Sequence, residues 1–482
     1  MDLSGLIASR PEALKSTTSR CPRCHREIPA DVIRRGTEVW MAKSCPDHGR
    51  FEVRLTDDAR RYHVSVGRRD GGCGGGACGC EAPIVRASDA PGRGAPEPPA
   101  DAAPIVDGVA PNPMDLLPSC VALIEIVDSC NLTCPTCYAS SPFGIGDEVA
   151  AATVEEVIAR IGGVLDRKGT IDILQLSGGE PSIHPRFFEI LEWALDQRRI
   201  GYVLINTNGV RIATDAAFRE RLGALRRQRG RFELYLQFDG PQEAGQRELR
   251  GADLRETRRR AVDEAGALGV PTTLAMVVTP TTIDHLGDAL RFGVERPHVR
   301  GITFQPVFAS GRLPDPAPGR RDGPAVALPV FEPTPTPIAV ADVIRAVVAQ
   351  APDLAADEDF TPLPCGDPNC HTIAYLLRLD GPSRRTVGLN RLVDLPAMQG
   401  FLANRLDYRI DDLLRCGCET EPLGEVLKAL EIGPDRPFRV FIKPFMDAWT
   451  FDQDRIDRCC THVIRRDGSL DSFCRHYLDR GR

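Results

Sequence analysis

Cys130-Asn131-Leu132-Thr133-Cys134-Pro135-Thr136-Cys137-Tyr138 is the stretch on which the reading of this chain turns. Three thiols spaced C-x3-C-x2-C on one short loop can hold three irons of a 4Fe–4S cube and leave the fourth iron open. An open iron offers a reacting group a coordination position, as a catalytic zinc does. The competing use of such a loop is a structural zinc site. The loop follows directly on 121–127, VALIEIV, a short apolar run of strand composition.

Strand composition recurs at 171–176, 202–206, 232–238, 272–278 and 301–306. Helical stretches at 153–168, 184–198, 213–228, 252–268 and 281–294 lie between the runs, and another follows at 340–350. In the first of them Thr153 and Glu156 predict a capping box, and Val154, Val157, Ile158, Ile161, Val164 and Leu165 share one face. Strand–helix alternation predicts parallel strands joined by right-handed crossovers. Six such units predict an α/β fold, a partial (β/α)6 parallel barrel over 120–350 with small metal-binding extensions at both ends of the chain. In such a barrel the chemistry belongs at the C-terminal ends of the strands.

Polar motifs fall at those ends. Ser177-Gly178-Gly179-Glu180-Pro181 closes the second strand. Glycines let backbone approach a ligand, and a carboxylate pairs with an ammonium. Asn206 and Asn208 close the third strand, Gln237 and Asp239 the fourth, and Gln305 the sixth. Each could bind a ligand or serve an ordinary turn. Placed after a first strand, the three-cysteine loop resembles the signature of the radical S-adenosylmethionine (radical SAM) superfamily. The glycine–glutamate turn resembles the motif that meets the methionine amino group of S-adenosylmethionine. The resemblance implies that Cys130, Cys134 and Cys137 hold a catalytic 4Fe–4S cluster. It places S-adenosylmethionine against Tyr138, Ser177, Gly178, Gly179 and Glu180, with Asn206, Asn208, Gln237, Asp239 and Gln305 nearby. It implies reductive cleavage to a 5′-deoxyadenosyl radical that takes hydrogen from an unactivated C–H bond.

The chain has 17 cysteines in 482 residues, grouped at metal-ligand spacings. That grouping reads as ligation in a reducing compartment rather than as disulfides. Cys21, Cys24, Cys45 and His48 have zinc-ribbon or rubredoxin-like spacing in a domain over 1–66, where a mononuclear iron or zinc would sit. Whether His48 or a distant cysteine is the fourth ligand stays open. Cys73, Cys78, Cys80 and Cys120 can hold an auxiliary 4Fe–4S cluster, and the rest of 67–119 is a Gly-rich, then Pro/Ala-rich linker. Cys365, Cys370, Cys459, Cys460 and Cys474 offer a further cluster in a C-terminal domain over 351–482. Of the adjacent pair Cys459 and Cys460 only one is expected to join it, and Cys460 is favoured. Cys416 and Cys418 are spare candidates, and the Pro-rich stretch 312–338 reads as a surface insertion.

A net charge of -7 argues against a nucleic-acid binder. No apolar run approaches the roughly 18 residues that predict a membrane-spanning helix. Residues 1–18 lack the apolar centre of an export signal. The expected location is the cytoplasm, with peripheral contact at the inner membrane surface left open. Arginines at 226–231 and 258–260 read as solvated helix ends.

Beyond the superfamily motifs come PLPCGDPNC at 362–370, FIKPFMDAWTFDQDRIDRCCTH at 441–462 and DGSLDSFC at 467–474. With the N-terminal cysteine blocks, their order resembles the tetraether lipid synthase group of radical SAM proteins, whose archaeal members carry an older description as pterin methyltransferases. The resemblance implies carbon–carbon bond formation between the tails of two lipids. It also implies one or two auxiliary 4Fe–4S clusters and an electron donor such as flavodoxin or ferredoxin. The chain departs from the group in its glycine-rich auxiliary block and in Phe473-Cys474-Arg475-His476-Tyr477, where the group has Phe-Cys-x-Tyr-Asn. A radical SAM methyltransferase, or a modifier of a small or peptide substrate, is the alternative. A long apolar tunnel would favour the lipid, a polar cleft the alternative.

Overall fold

The computed structural model describes residues 11–66, 85–86, 112–117, 119–313, 336–363, 366–379, 386–391 and 436–480. Cys73, Cys78, Cys80, Cys365, Cys416 and Cys418 lie outside these residues.

Six core strands, Val121–Val127, Ile171–Gly178, Ile200–Thr207, Phe232–Gln237, Thr272–Val278 and Val299–Pro306, are hydrogen-bonded in chain order. Every neighbouring pair among them is parallel. Helices Val154–Lys168, Phe187–Asp196, Ala216–Arg229, Arg255–Ala267 and Leu286–Val294 make the crossovers, and Val340–Gln350 follows the sixth strand. The partial parallel barrel expected from the alternation is present. The first helix shows how sequence sets an element. Thr153 Oγ1 accepts from the Glu156 N–H at 3.2 Å, and Glu156 Oε2 accepts from the Thr153 N–H at 2.8 Å. Val154, Val157, Ile161, Val164 and Leu165 are buried against the sheet, and Gly169 ends the helix at φ +81°.

The C-terminal segment extends this sheet at both edges. Pro437–Ile442 runs parallel to the sixth strand, and Thr372–Arg378 pairs antiparallel beyond it. Thr461–Ile464 runs parallel to the first strand, and Leu470–Ser472 pairs beyond that. Both exposed strand edges of the core are thereby covered. Among the described residues, no helix is long and apolar enough to cross a membrane.

In the two arginine clusters read from the sequence as solvated helix ends, Arg227, Arg229, Arg259 and Arg260 are exposed, whereas Arg226, Arg231 and Arg258 are not. Arg258 is fully buried, 3.6 Å from Asp239. Arg226 and Arg231 donate to backbone carbonyls of Phe232 and Ile200. Their guanidinium groups close strand and helix ends that would otherwise leave carbonyls bare.

At the N-terminus, Glu12–Arg20, Glu27–Arg35, Glu38–Cys45 and Gly49–Thr56 form a four-stranded antiparallel sheet around Leu14, Ala30, Val32, Val39, Met41 and Val53. This small sheet is fastened to the C-terminal loops. Lys15, 3% exposed, meets Asp452 at 2.7 Å and Asp454 at 3.0 Å. Lys43 donates to the carbonyls of Ala448 and Trp449, and His63 N–H donates to Asn369 Oδ1. Breaking one partner of a buried pair strands the other charge. Lys15→Met is therefore expected to cost about 3–5 kcal/mol, read as a lower denaturant midpoint, while Arg50→Met at the exposed Glu52 pair stays within about 0.5 kcal/mol.

Candidate active site and metal centres

The loop carrying Cys130, Cys134 and Cys137 leaves the C-terminal end of the first strand and is pinned by backbone bonds. Cys130 N–H donates to the Pro142 carbonyl at 2.8 Å, Gly144 N–H to that of Cys130 at 3.0 Å, and Cys137 pairs with Arg312 in both directions at 2.9 Å. Arg312 Nε also donates to the Cys134 carbonyl at 3.1 Å. All three cysteines line one cavity of about 290 Å³ inside the barrel mouth. Burial, then the charge of Glu180, pushes the Cys130 thiol up to about 12. Thiols held that way need a cation to become thiolates. Single-ion geometry is a separate matter: among the described residues, only Cys21, Cys24, Cys45 and His48 bring their ligand atoms within 4.8 Å of one another. The three loop cysteines are spaced for something larger than one ion, which fits a cube and argues against a structural zinc loop.

The glycine–glutamate turn sits against this loop. A Cβ on Gly178 would stand 2.0 Å from the Val127 carbonyl oxygen, and one on Gly179 would stand 2.1 Å from that of Ser129. The sequence suggests that these glycines admit a ligand; the nearest object is the cluster loop's own backbone. Glu180, 1% exposed, accepts from Ser182 N–H at 3.1 Å, Thr207 Oγ1 at 2.8 Å and Asn208 N–H at 2.6 Å. Burial raises its pKa, and these donors oppose the rise. Its carboxylate therefore ties the second strand end to the third.

The other polar strand ends divide into two groups. Asn206, Asn208, Gln237 and Gln305 line the cavity with Tyr138. Asn206 Nδ2 donates to Ser177 Oγ at 3.0 Å, and Asn208 Nδ2 lies 3.8 Å from Cys130 Sγ. Gln305 Nε2 donates to Tyr235 Oη at 2.8 Å. Asp239 lies away from the cavity lining, fully buried at φ +58°. It receives Arg250 at 2.6 and 2.9 Å. Burial alone would raise the Asp239 carboxyl, but Arg250 and Arg258 hold it below the usual carboxylate range. Arg250 in turn faces the Cys134 sulfur. Asp239→Asn is expected to leave two buried guanidinium groups undercompensated, lowering the unfolding midpoint and the iron content together; unchanged iron per chain would refute the coupling.

Sequence reasoning missed the polar floor of the cavity. Glu233 and Tyr235 alternate along one strand below Gln237, which the sequence had named, and Thr273, Thr303 and Arg439 join them. Their period of two in FELYLQ was the available signal. The walls near the cysteines are apolar: Leu132, Val307, Phe308, Leu313, Phe445 and Phe473. Tyr138 packs on Phe473 and Tyr477, with ring centroids 5.3 and 4.7 Å apart.

At the N-terminal sheet, Cys21 Sγ and Cys45 Sγ lie 3.7 and 3.5 Å from His48 Nδ1, and Cys24 Sγ lies 3.9 Å from Cys45 Sγ. His48 thus completes a group of four ligand atoms that could hold a metal ion. Three thiolates and an imidazole are a structural zinc set. In the C-terminal segment, half-buried Cys370 and Cys474 lie near Cys459, and Arg455 donates to Cys370 Sγ at 3.4 Å. Burial pushes the Cys370 thiol up to about 12. Cys459 thus interacts with Cys370 and Cys474, and its neighbour Cys460 packs with Cys120 and Leu363, as alternating side chains entering the strand Thr461–Ile464 allow.

Residues 124–293 match the radical SAM superfamily, and residues 13–57 match the HMPTM N-terminal zinc ribbon domain. The 7,8-dihydro-6-hydroxymethylpterin dimethyltransferase of Methanocaldococcus jannaschii is 24% identical, over 95% of this chain and 92% of its own length. The mycofactocin maturase MftC of Mycobacterium ulcerans is 27% identical over 34% of this chain and 41% of its own. Among solved structures, SuiB of Streptococcus suis bound to S-adenosylmethionine is 14% identical, covers 40% of each chain and superposes with a TM-score of 0.31. Residues 124–293 of this chain are thus a radical SAM domain, preceded by a zinc ribbon domain over residues 13–57.

Proposed function

We propose that this enzyme functionalises an unactivated C–H bond and forms a carbon–carbon bond at an alkyl group of a substrate held in the barrel cavity. When bound, a reduced 4Fe–4S cluster supplies one electron to the sulfonium of S-adenosylmethionine, releasing methionine and a 5′-deoxyadenosyl radical. Cys130, Cys134 and Cys137 would hold that cluster. Tyr138, Asn206, Asn208 and Gln237 would orient the nucleoside, and the Gly178–Glu180 turn would hold the strand ends that carry them. Phe308, Phe445 and Phe473 would exclude water from the reacting carbon.

The observation that carries the reading is one cavity that meets all three cysteines and has apolar walls beside them. Those walls suit an alkyl carbon. Joining two lipid tails is the form that the resemblance of the terminal cysteine blocks supports. Methyl transfer to, or modification of, a smaller substrate is the second reading. It is favoured by the polar floor and by the name of the archaeal relative. Anaerobic reconstitution with dithionite, S-adenosylmethionine and a lipid extract, read by mass spectrometry, separates them. Coupled lipid together with deoxyadenosine supports tail joining. Deoxyadenosine with unchanged lipid supports the smaller substrate. No deoxyadenosine overturns both.

A further inference from the structure

We propose that the barrel floor is a head-group subsite, in which Glu233, its charge balanced by Arg439, accepts from a neutral O–H or N–H donor at the far end of the substrate from the carbon that reacts. Glu233 is 2% exposed and Arg439 5% exposed. They sit on strands separated by two others, Thr272–Val278 and Val299–Pro306, so the pair reaches across the inside of the barrel. Glu233 Oε1 accepts from Thr273 Oγ1 and lies 3.6 Å from Arg439 Nη2, beyond hydrogen-bond length. Glu233 Oε2 has no hydrogen-bond partner among the described residues.

A buried carboxylate oxygen left without a donor is costly. An alkyl end reaching this floor would leave that cost in place, whereas a hydroxyl or amide N–H would remove it. Arg439 already balances the carboxylate, so a ligand cation would bury an excess positive charge. That selects a neutral donor. The floor also sets a length. From Glu233 to Gln237 is four residues, about 13 Å along the strand and roughly 10 Å along the barrel axis. A substrate anchored below would present a carbon remote from its polar group to the cysteines above.

This inference rests on the radical reading, and its test separates the two. The full-length reconstituted protein is given dithionite and S-adenosylmethionine with perdeuterated 1-decanol or perdeuterated decane. The readout is the deuterated fraction of the deoxyadenosine formed. Decanol is expected to label it at least about tenfold more than decane, and Glu233→Gln to remove about tenfold of the decanol labelling. Decanol deuterated only at its methyl end is expected to label, and decanol deuterated only beside the hydroxyl is not. Equal labelling by decanol and decane, labelling by neither, or an unaffected Glu233→Gln protein overturns the subsite. The decanol–decane comparison needs no variant, so a misfolded Glu233→Gln protein leaves the proposal exposed to refutation. Absence of deoxyadenosine overturns the radical reading instead.

Discussion

Cys134→Ala is expected to abolish reductive cleavage of S-adenosylmethionine, with a loss on the order of a thousandfold or more in deoxyadenosine formed, equivalent to about 4 kcal/mol of barrier. Cys134 is 9% exposed, its carbonyl is held by Arg312, and Arg250 faces its sulfur. Removing it leaves two thiols on the loop. Two thiolates hold a cube too loosely for the open iron to be the single vacancy. Cys134→Ser keeps a donor atom of similar size but supplies a harder ligand, and is expected to recover iron binding only in part. The measurement is iron and sulfide per chain, together with deoxyadenosine by mass spectrometry. Deoxyadenosine formed at the wild-type rate by Cys134→Ala would remove the basis for every functional statement made about the barrel. The Lys15→Met result provides the contrast, because that variant acts on fold stability with the loop cysteines intact.

How far the residues themselves could carry this reading depended on the range of the interaction. All six core strands were legible because each is an apolar run bounded by helix-period sequence, and both signals are local. The zinc ribbon was legible for the same reason, since Cys21-x2-Cys24 forms its knuckle within one turn. His48 was a candidate for its fourth donor beside a distant cysteine, and the choice stayed open because only the pairing of Glu38–Cys45 with Gly49–Thr56 brings His48 to Cys21. The edge strands Pro437–Ile442 and Thr461–Ile464 also went unread. Each is short and buried, and what makes it a strand is an unpaired core edge about 140 residues away in the first case and about 340 in the second. Glu180 and Asp239 show a further limit. Carboxylates at strand ends signal either a ligand or a network, and only the partners decide. Glu180 turned out to bind three protein donors and Asp239 two arginines. Arg258 is the converse: one of three consecutive arginines, buried because Asp239 lies beneath it.

Gly178→Ala is expected to be the most damaging single methyl in the barrel. At φ +128° the backbone favours glycine, and the added Cβ would lie 2.0 Å from the carbonyl oxygen of Val127 and 3.1 Å from its carbon and nitrogen. Those are backbone atoms of the adjacent core strand, so no side chain can swing aside. Either the two strand ends separate or the loop beginning at Asp128 moves, and that loop carries the three cysteines. A loss of about 3 kcal/mol or more in unfolding free energy is expected, above the usual range for overpacking because both φ strain and a backbone clash act together. Gly162→Ala is the internal control. Gly162 lies within the helix Val154–Lys168 with nothing inside 4 Å of its added Cβ. That change is expected to stabilise by about 0.5–1 kcal/mol through helix propensity alone. Iron per folded chain discriminates further. It should fall in Gly178→Ala even below the unfolding transition, because the displaced segment is the one that holds the cluster, and it should be unchanged in Gly162→Ala. A Gly178→Ala protein with full iron content would mean that the glycines serve a ligand after all and leave the loop where it was.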